Sequence, residues 1–324
     1  MGWKQISIEE REVVMIRVAS GCPIGQIANE LGRHRTTIYR EIRRNDYRRG
    51  YWAVASHKRA IENRRKARRP SRLSYLPLHE YIEEKLKLYW SPQQISHRLK
   101  LDYPTDLRMR ICHETIYRFI LKKDRSYIRY LRQAHRRNRY AWRGKKRYKR
   151  IRGGKHIADR PSVAELRIFP GHWEGDSVRG PRDSAAGLAT QVDRASRYLV
   201  ATHLVDRKAR TYNNAVITAF RHSNVPIETM TVDNGMEFSM FSELEEALEM
   251  DVYFARPYHA WERGSNENTN GLLRQFFPKG TDFSGVNPRE VEQAVGLLNN
   301  RSRECLGYRT PVEVMDALLV AIKD

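Results

Sequence analysis

Cysteine is scarce in this 324-residue chain. Cys22, Cys112 and Cys305 lie far apart in unrelated contexts, which excludes a disulfide framework or paired-cysteine metal site and points to the cytosol. No stretch approaches the roughly 18 uninterrupted apolar residues of a membrane span. The opening MGWKQISIEEREVV lacks the basic segment and apolar run of a secretory signal. Acid is scarce too, but only in front: residues 1–150 hold 14 Asp and Glu against 39 Lys and Arg, whereas residues 151–324 hold 24 against 21. Secreted, membrane and zinc-finger classes drop out. What is present, 40% apolar and 10% aromatic residues, is enough for packed cores, and the length suggests two or three domains. A basic front of this size fits a polyanion partner, with salt-sensitive affinity for duplex nucleic acid.

Residues 8–44 read as three short helices. Pro23 suits the start of the second, Ile24 to Leu31, which Gly32 breaks. The third runs Arg33-His34-Arg35-Thr36-Thr37-Ile38-Tyr39-Arg40-Glu41-Ile42-Arg43-Arg44, with Ile38 and Ile42 inward. Two short helices around a Gly turn, the second crowded with Arg and Thr, form a helix-turn-helix pattern. Arg35, Thr36, Thr37, Arg40 and Arg43 are the types that touch phosphates and base edges. A looser copy follows: Gln94-Ile95, Leu99 and Thr115-Ile116-Tyr117-Arg118 repeat Gln26-Ile27, Leu31 and Thr37-Ile38-Tyr39-Arg40 with a longer turn. Ser91 and Pro92 suit an N-cap and first helical residue, and Thr115 and Arg118 join the candidate DNA contacts. Between the copies, residues 57–72 carry eight basic residues, Lys58 to Arg72, and read as a linker along a DNA backbone. From Lys122 to Arg152 stand fifteen Lys or Arg, one acid and interleaved Tyr and Trp, a tether suited to phosphate contact and base stacking.

Beyond residue 165 strands and helices alternate. Strands are expected at 171–178, 188–192, 198–205, 229–232 and 252–255, with helices at 211–222, 241–249 and 261–277. Three leading strands followed by alternating helices and strands make the order of an RNase H-like fold. The fold class expected is therefore α+β multidomain: an N-terminal all-α tandem helix-turn-helix region, then an RNase H-like α/β core. The expected divisions are 1–56, 57–121, 122–165 and 166–324. Three acids stand out in that order: Asp176 in the first strand, Asp233 ending the fourth, and Glu267 on the last helix. Hard carboxylate oxygens are what Mg²⁺ accepts, and two such ions about 3.5–4 Å apart serve an in-line phosphoryl displacement.

The stretches from Gly171 to Asp176, Asp233-Asn234-Gly235-Met236-Glu237-Phe238, and Trp261 through Asp282 resemble the catalytic motifs of bacterial insertion-sequence DDE transposases, above all the IS-thirty family. The tandem helix-turn-helix front and the tail from Leu297 to Pro311 resemble it too. The resemblance implies that Asp176, Asp233 and Glu267 form a catalytic, metal-binding triad. Asp176 would bridge two Mg²⁺ ions (Mn²⁺ as a substitute), with Asp233 and Glu267 completing one each. It also implies binding of terminal inverted repeats, 3′-end cleavage and strand transfer by a homo-oligomer on double-stranded DNA, at the nucleoid in the cytoplasm. No other cofactor is expected.

Rival readings stay in view. A retroviral-type integrase would want a His/Cys zinc module that these cysteines do not offer, and a DNA-binding repressor with a dead core would want a lost acid. Glu174 shares a strand face with Asp176 and is a candidate support for it. Asp193 and Asp206 suit turns. Glu237 is a candidate for DNA contact or support, and Glu262, five residues before Glu267, should point elsewhere on the helix. His172 and His259 are weaker candidates. Asn268, Asn270 and Arg274 are expected at the DNA strand.

Overall fold

The structure is a computed structural model that describes residues 5–45, 50–67, 70–132, 153–181, 183–257 and 259–323. It divides into two compact units that meet in sequence between Ser74 and Tyr75.

In the first unit, α1 (Ile8–Ala19), α2 (Ile24–Glu30), α3 (Arg35–Arg44) and α4 (Ala53–Ala67) enclose one small core. Ser7 and Glu10 close a reciprocal capping box on α1. Val14, Ile27, Ala28 and Ile38 meet in the centre with Ile6 and Tyr51. Helix α4 departs from the sequence expectation: much of the basic run read as a linker is helix, seated on α1 through buried Ala53 and Ser56. Small residues there let two helices approach, while the arginines point outward.

The second unit begins with α5 (Leu76–Lys87), α6 (Pro92–Asp102) and α7 (His113–Lys122). Leu78, Ile82 and Leu86 on α5, Ile95 and Leu99 on α6, and Ile116 and Ile120 on α7 are all buried, the 3–4 spacing of an apolar stripe. Ser91 and Gln94 form the second capping box. This helix pair was expected to stand apart from the core, in residues 57–121. Instead it belongs to the same compact unit as everything that follows. The basic aromatic tether from Lys122 largely escapes description: residues 133–152 lie outside the described residues. The residues beyond form β1 (Lys155–His156) and α8 (Val163–Leu166).

Then come β2 (His172–Arg179), β3 (Gly187–Asp193), β4 (Leu199–Leu204), α9 (Ala209–Ser223), β5 (Thr229–Val232), α10 (Phe241–Leu248), β6 (Asp251–Phe254), α11 (Gly264–Leu273), α12 (Pro288–Asn299) and α13 (Pro311–Lys323). The sheet runs β1-β6-β5-β2-β3-β4. β2, β3 and β4 are antiparallel neighbours, while β5 pairs parallel with β2 and β6 parallel with β5. Alternation along β2 sends Trp173 to one face, with Tyr212, Phe220 and Met230. Val178 goes to the other, with Leu272, Leu273 and Leu298. Glu174 and Asp176 share the face of Val178, under α11. That helix is shorter than expected: a 3₁₀ turn at Ala260–Arg263 precedes it and turns follow Leu273.

Candidate active site

Register creates the site. β2 and β5 are aligned in parallel with Glu174 opposite Thr231. Asp176 lies two residues further along β2, and Asp233 just past the end of β5. Both carboxylates reach one guanidinium. Arg263 Nη1 lies 3.4 Å from Asp176 Oδ1, and Nη2 lies 3.2 Å from Asp233 Oδ2. Nη1 also donates to the Gly175 carbonyl at 3.1 Å. Gly175 is closely packed: a Cβ there would stand 3.0 Å from Met230 Sδ and 3.1 Å from Val232 Cγ1. Asp233 spends its other oxygen on the Gly235 amide at 2.8 Å.

Helix α11 is fastened over the carboxylates by a buried polar seam. Glu174, fully buried, forms a 2.8 Å ion pair with buried Arg194. Its other oxygen accepts the Asn266 amide at 2.9 Å, and its carbonyl accepts Asn266 Nδ2 at 2.7 Å. Asn270, one turn later, donates Nδ2 to Asp176 Oδ2 at 2.9 Å. Burial pushes the Asp176 carboxyl above its ordinary range. Arg263 pulls the other way, and the neighbouring Asp233 adds to the rise.

Glu267 does not join this contact set. It is exposed on the first turn of α11, four residues after Arg263 and three before Asn270, so it shares their side of the helix. Among the described residues no three His, Cys, Asp or Glu side chains converge tightly enough to hold an ion. The donor chemistry nonetheless fits a hard divalent cation. Asp176 and Asp233 are anionic oxygens already sharing one positive charge, and waters or phosphate oxygens ordinarily fill the remaining positions.

The other sequence candidates fall in several places. Glu262 precedes the helix rather than riding on it, and accepts the Arg256 amide at 2.8 Å. Glu237 is buried and takes Ser177 Oγ at 2.8 Å and Arg179 Nη2 at 2.9 Å, bracing the strand that carries Asp176. Asp193 accepts the amides of Gly171, Ala195 and Ser196, and Asp206 that of Lys208. His172 bonds Thr229 Oγ1 at 2.9 Å inside the sheet, and His259 packs on Trp261. Arg274 donates to the backbone oxygens of Arg179, Phe277 and Pro278, so its guanidinium is engaged within the fold. In the first unit Arg35, Thr36, Arg40 and Arg43 are exposed along α3, with Thr37 half-buried. On α7 Arg118 is exposed and Thr115 half-buried. The sequence reading passed over Arg263 and Asn266. The available signal was spacing: Arg263, Glu267 and Asn270 recur at four and three residues, one side of a helix.

Two family models match the chain: a helix-turn-helix domain over residues 3–45 and an integrase core domain over residues 169–260. Together with the sheet and its carboxylates they define a class, a DNA-binding helical region joined to an RNase H-like core that depends on divalent metal. Relatives narrow it. "Transposase InsI for insertion sequence element IS30A" of Escherichia coli is 36% identical over 96% of this chain and 83% of its own length. "Transposase for insertion sequence element IS4351" of Bacteroides fragilis is 36% identical over 96% of this chain and 95% of its own. "Transposase for insertion sequence element IS1086" of Cupriavidus metallidurans is 33% identical over 98% and 96%. The chain belongs to the IS30 family of insertion-sequence transposases.

Proposed function

We propose that this chain transposes an insertion element: it binds duplex DNA at the element's terminal inverted repeats, hydrolyses a phosphodiester at each end to free a 3′-OH, and joins that end to target DNA. The observation that carries the reading is the pair of carboxylates, Asp176 on β2 and Asp233 just past β5, sharing a single cationic group beneath the helix of Glu267. Asp176, Asp233 and Glu267 would hold Mg²⁺, with Mn²⁺ as a substitute. Bound divalent ions supply activation of the attacking oxygen and stabilisation of the leaving one. The chain's own residues do the rest. Asn270 fixes the rotamer of Asp176, Glu174 anchors the helix start through Asn266, and Glu237 with Arg179 braces the end of β2. Arg35, Thr36, Thr37, Arg40 and Arg43 on α3, with Thr115 and Arg118 on α7, read or grip the duplex. Joining two ends calls for at least two copies on DNA, at the bacterial nucleoid.

The test is cleavage of a labelled inverted-repeat duplex with Mg²⁺, beside a gel-shift titration of the same duplex. Glu267→Gln keeps size and hydrogen bonding but removes the charge a hard cation requires. Cleavage and strand transfer should collapse together while binding survives, and Glu262→Gln should keep most activity. Normal cleavage by Glu267→Gln would remove Glu267 from the triad.

A further inference from the structure

Arg301 lies in the loop after α12, and its residue is 2% exposed. No carboxylate pairs with it among the described residues. Its Nε donates to Gln94 Oε1 at 3.1 Å and its Nη1 to Gln275 Oε1 at 2.9 Å. Both acceptors are tied further. Gln94 is the capping-box residue of α6: Oε1 also takes the Ser91 amide at 2.8 Å, and Nε2 donates to the Ser302 carbonyl at 2.5 Å. Gln275 follows the last turn of α11, and its Nε2 donates to the Tyr130 carbonyl at 2.9 Å. A continuous path therefore runs from the start of α6 through Arg301 to α11, and through Asn270 to Asp176.

Keeping a guanidinium here is costly. Burial, with Arg303 and Arg132 nearby, pushes Arg301 down to about 9. A buried charge answered only by neutral amides adds little net stability, and such groups are best understood as fixing one arrangement. The planar fork suits that role, because its donors diverge at fixed angles and hold two acceptors at a set separation. Its place beyond the C-terminal end of α11 also suits a cation, since the last carbonyls of a helix carry partial negative charge.

We infer that Arg301 is a positioning residue that sets the register between DNA held on α7 and the carboxylates, and so selects which phosphodiester is cut. The inference rests on the transposase reading above. The α6–α7 pair carries one bound stretch of duplex, α11 roofs the site, and the Arg301 fork fixes the distance between them. Loosening it leaves both parts folded and lets the bond presented to the site wander.

Two variants test it: Arg301→Lys, which keeps charge but loses the fork, and Gln275→Leu, which cuts the path from the other side. Single-turnover cleavage of an end-labelled inverted-repeat duplex, resolved to the nucleotide, should give one product for the unaltered chain. Both variants should spread cuts to neighbouring phosphodiesters, with loss at the correct bond of about 10²-fold, the scale of an ångström-level misplacement. Gel-shift affinity should not move. A second readout needs no catalysis. Spin labels on Cys112, exposed at the start of α7, and on an introduced Glu246→Cys at an exposed position of α10, in a Cys22→Ser, Cys305→Ser background, report the distance between helix pair and core. Its distribution should broaden in both variants. A single cut at the normal bond, with an unbroadened distribution, overturns the inference. If the unaltered chain cuts nothing, the functional reading fails, and the distance distributions alone still decide whether the clamp exists.

Discussion

Arginine is used in opposite ways on α3 and around the carboxylates of the second unit. Along α3, Arg35, Arg40, Arg43 and Arg44 are exposed, and the helix is held by buried Ile38, by Ile42 and by Glu41, which pairs at 2.6 Å with buried Arg11 of α1. In the second unit, Arg160, Arg194, Arg301 and Arg303 are all buried, and Arg194 and Arg263 are committed to carboxylates. Outward arginines leave their charge available to a polyanion, whereas inward ones spend it on the fold. The same contrast separates the two helix pairs. Gln26 on α2 is exposed and accepts from Cys22 Sγ, but its counterpart Gln94 on α6 is bonded into the catalytic core. One pair lies in the first unit; the other is built into the unit that carries Asp176 and Asp233.

The largest test of that contrast is Ile38→Ala. Emptying the centre of the first core should cost about 2–5 kcal/mol and, if the units are independent, shift one calorimetric transition while leaving that of the second unit in place. A joint shift would break the comparison. Next comes Arg263→Gln, which leaves Asp176 and Asp233 facing each other. The cost should be about 2 kcal/mol, below the roughly 3–5 of a fully buried pair because water reaches both carboxylates, and added Mg²⁺ should restore the melting temperature. Asp176, already raised, loses a lowering neighbour and rises further. Its proton is then held more tightly folded than unfolded, so stability falls as pH climbs from the ordinary 3.8 through the folded value. The deficit should be greatest near neutrality and shrink below that window.

Arg40→Ala sharpens the outward half of the comparison. It should weaken cognate binding by about 1–3 kcal/mol if the side chain reads a base. Equal loss on random duplex would make it a phosphate contact. The smallest effect is expected at the fastening between α6 and α13, where both Arg98 η-nitrogens grip Glu313 at 2.5 and 2.6 Å. Arg98 holds Glu313 down to about 2. A lowered carboxyl contributes stability above its ordinary 4.5 and loses it as pH falls toward 2. Glu313→Gln should therefore melt lower at neutral pH by about 0.2–1 kcal/mol, since the pair is partly exposed, and match the unaltered chain near pH 2.

Much of this was readable beforehand because period and punctuation are local. The five expected strands correspond to β2 through β6 and α1 starts and ends where its spacing predicts. Asp176 could be placed within the first core strand and Asp233 at the end of the fourth for the same reason. What escaped was set by distant residues. α4 reads as a charged linker until Ala53 and Ser56 find α1. The docking of α6 depends on Arg301, some two hundred residues away. Arg263 was hidden inside a motif whose acids drew attention first, and the partnership of Glu174 with Asn266 needs α11 folded back over β2.

The two-residue strand β1 has a consequence for behaviour at high concentration. An open sheet edge offers unpaired amides and carbonyls to any passing strand and seeds aggregation. Here Lys155 and His156 lie along Tyr253 and Phe254 of β6, and the Lys155 ammonium is fixed between Glu245 and Asp251. The apolar strand beneath is shielded by the shortest possible cover, with a charge standing guard. A strand arriving at this side of the sheet finds Tyr253 and Phe254 already paired, so growth of the sheet from the β6 edge is discouraged.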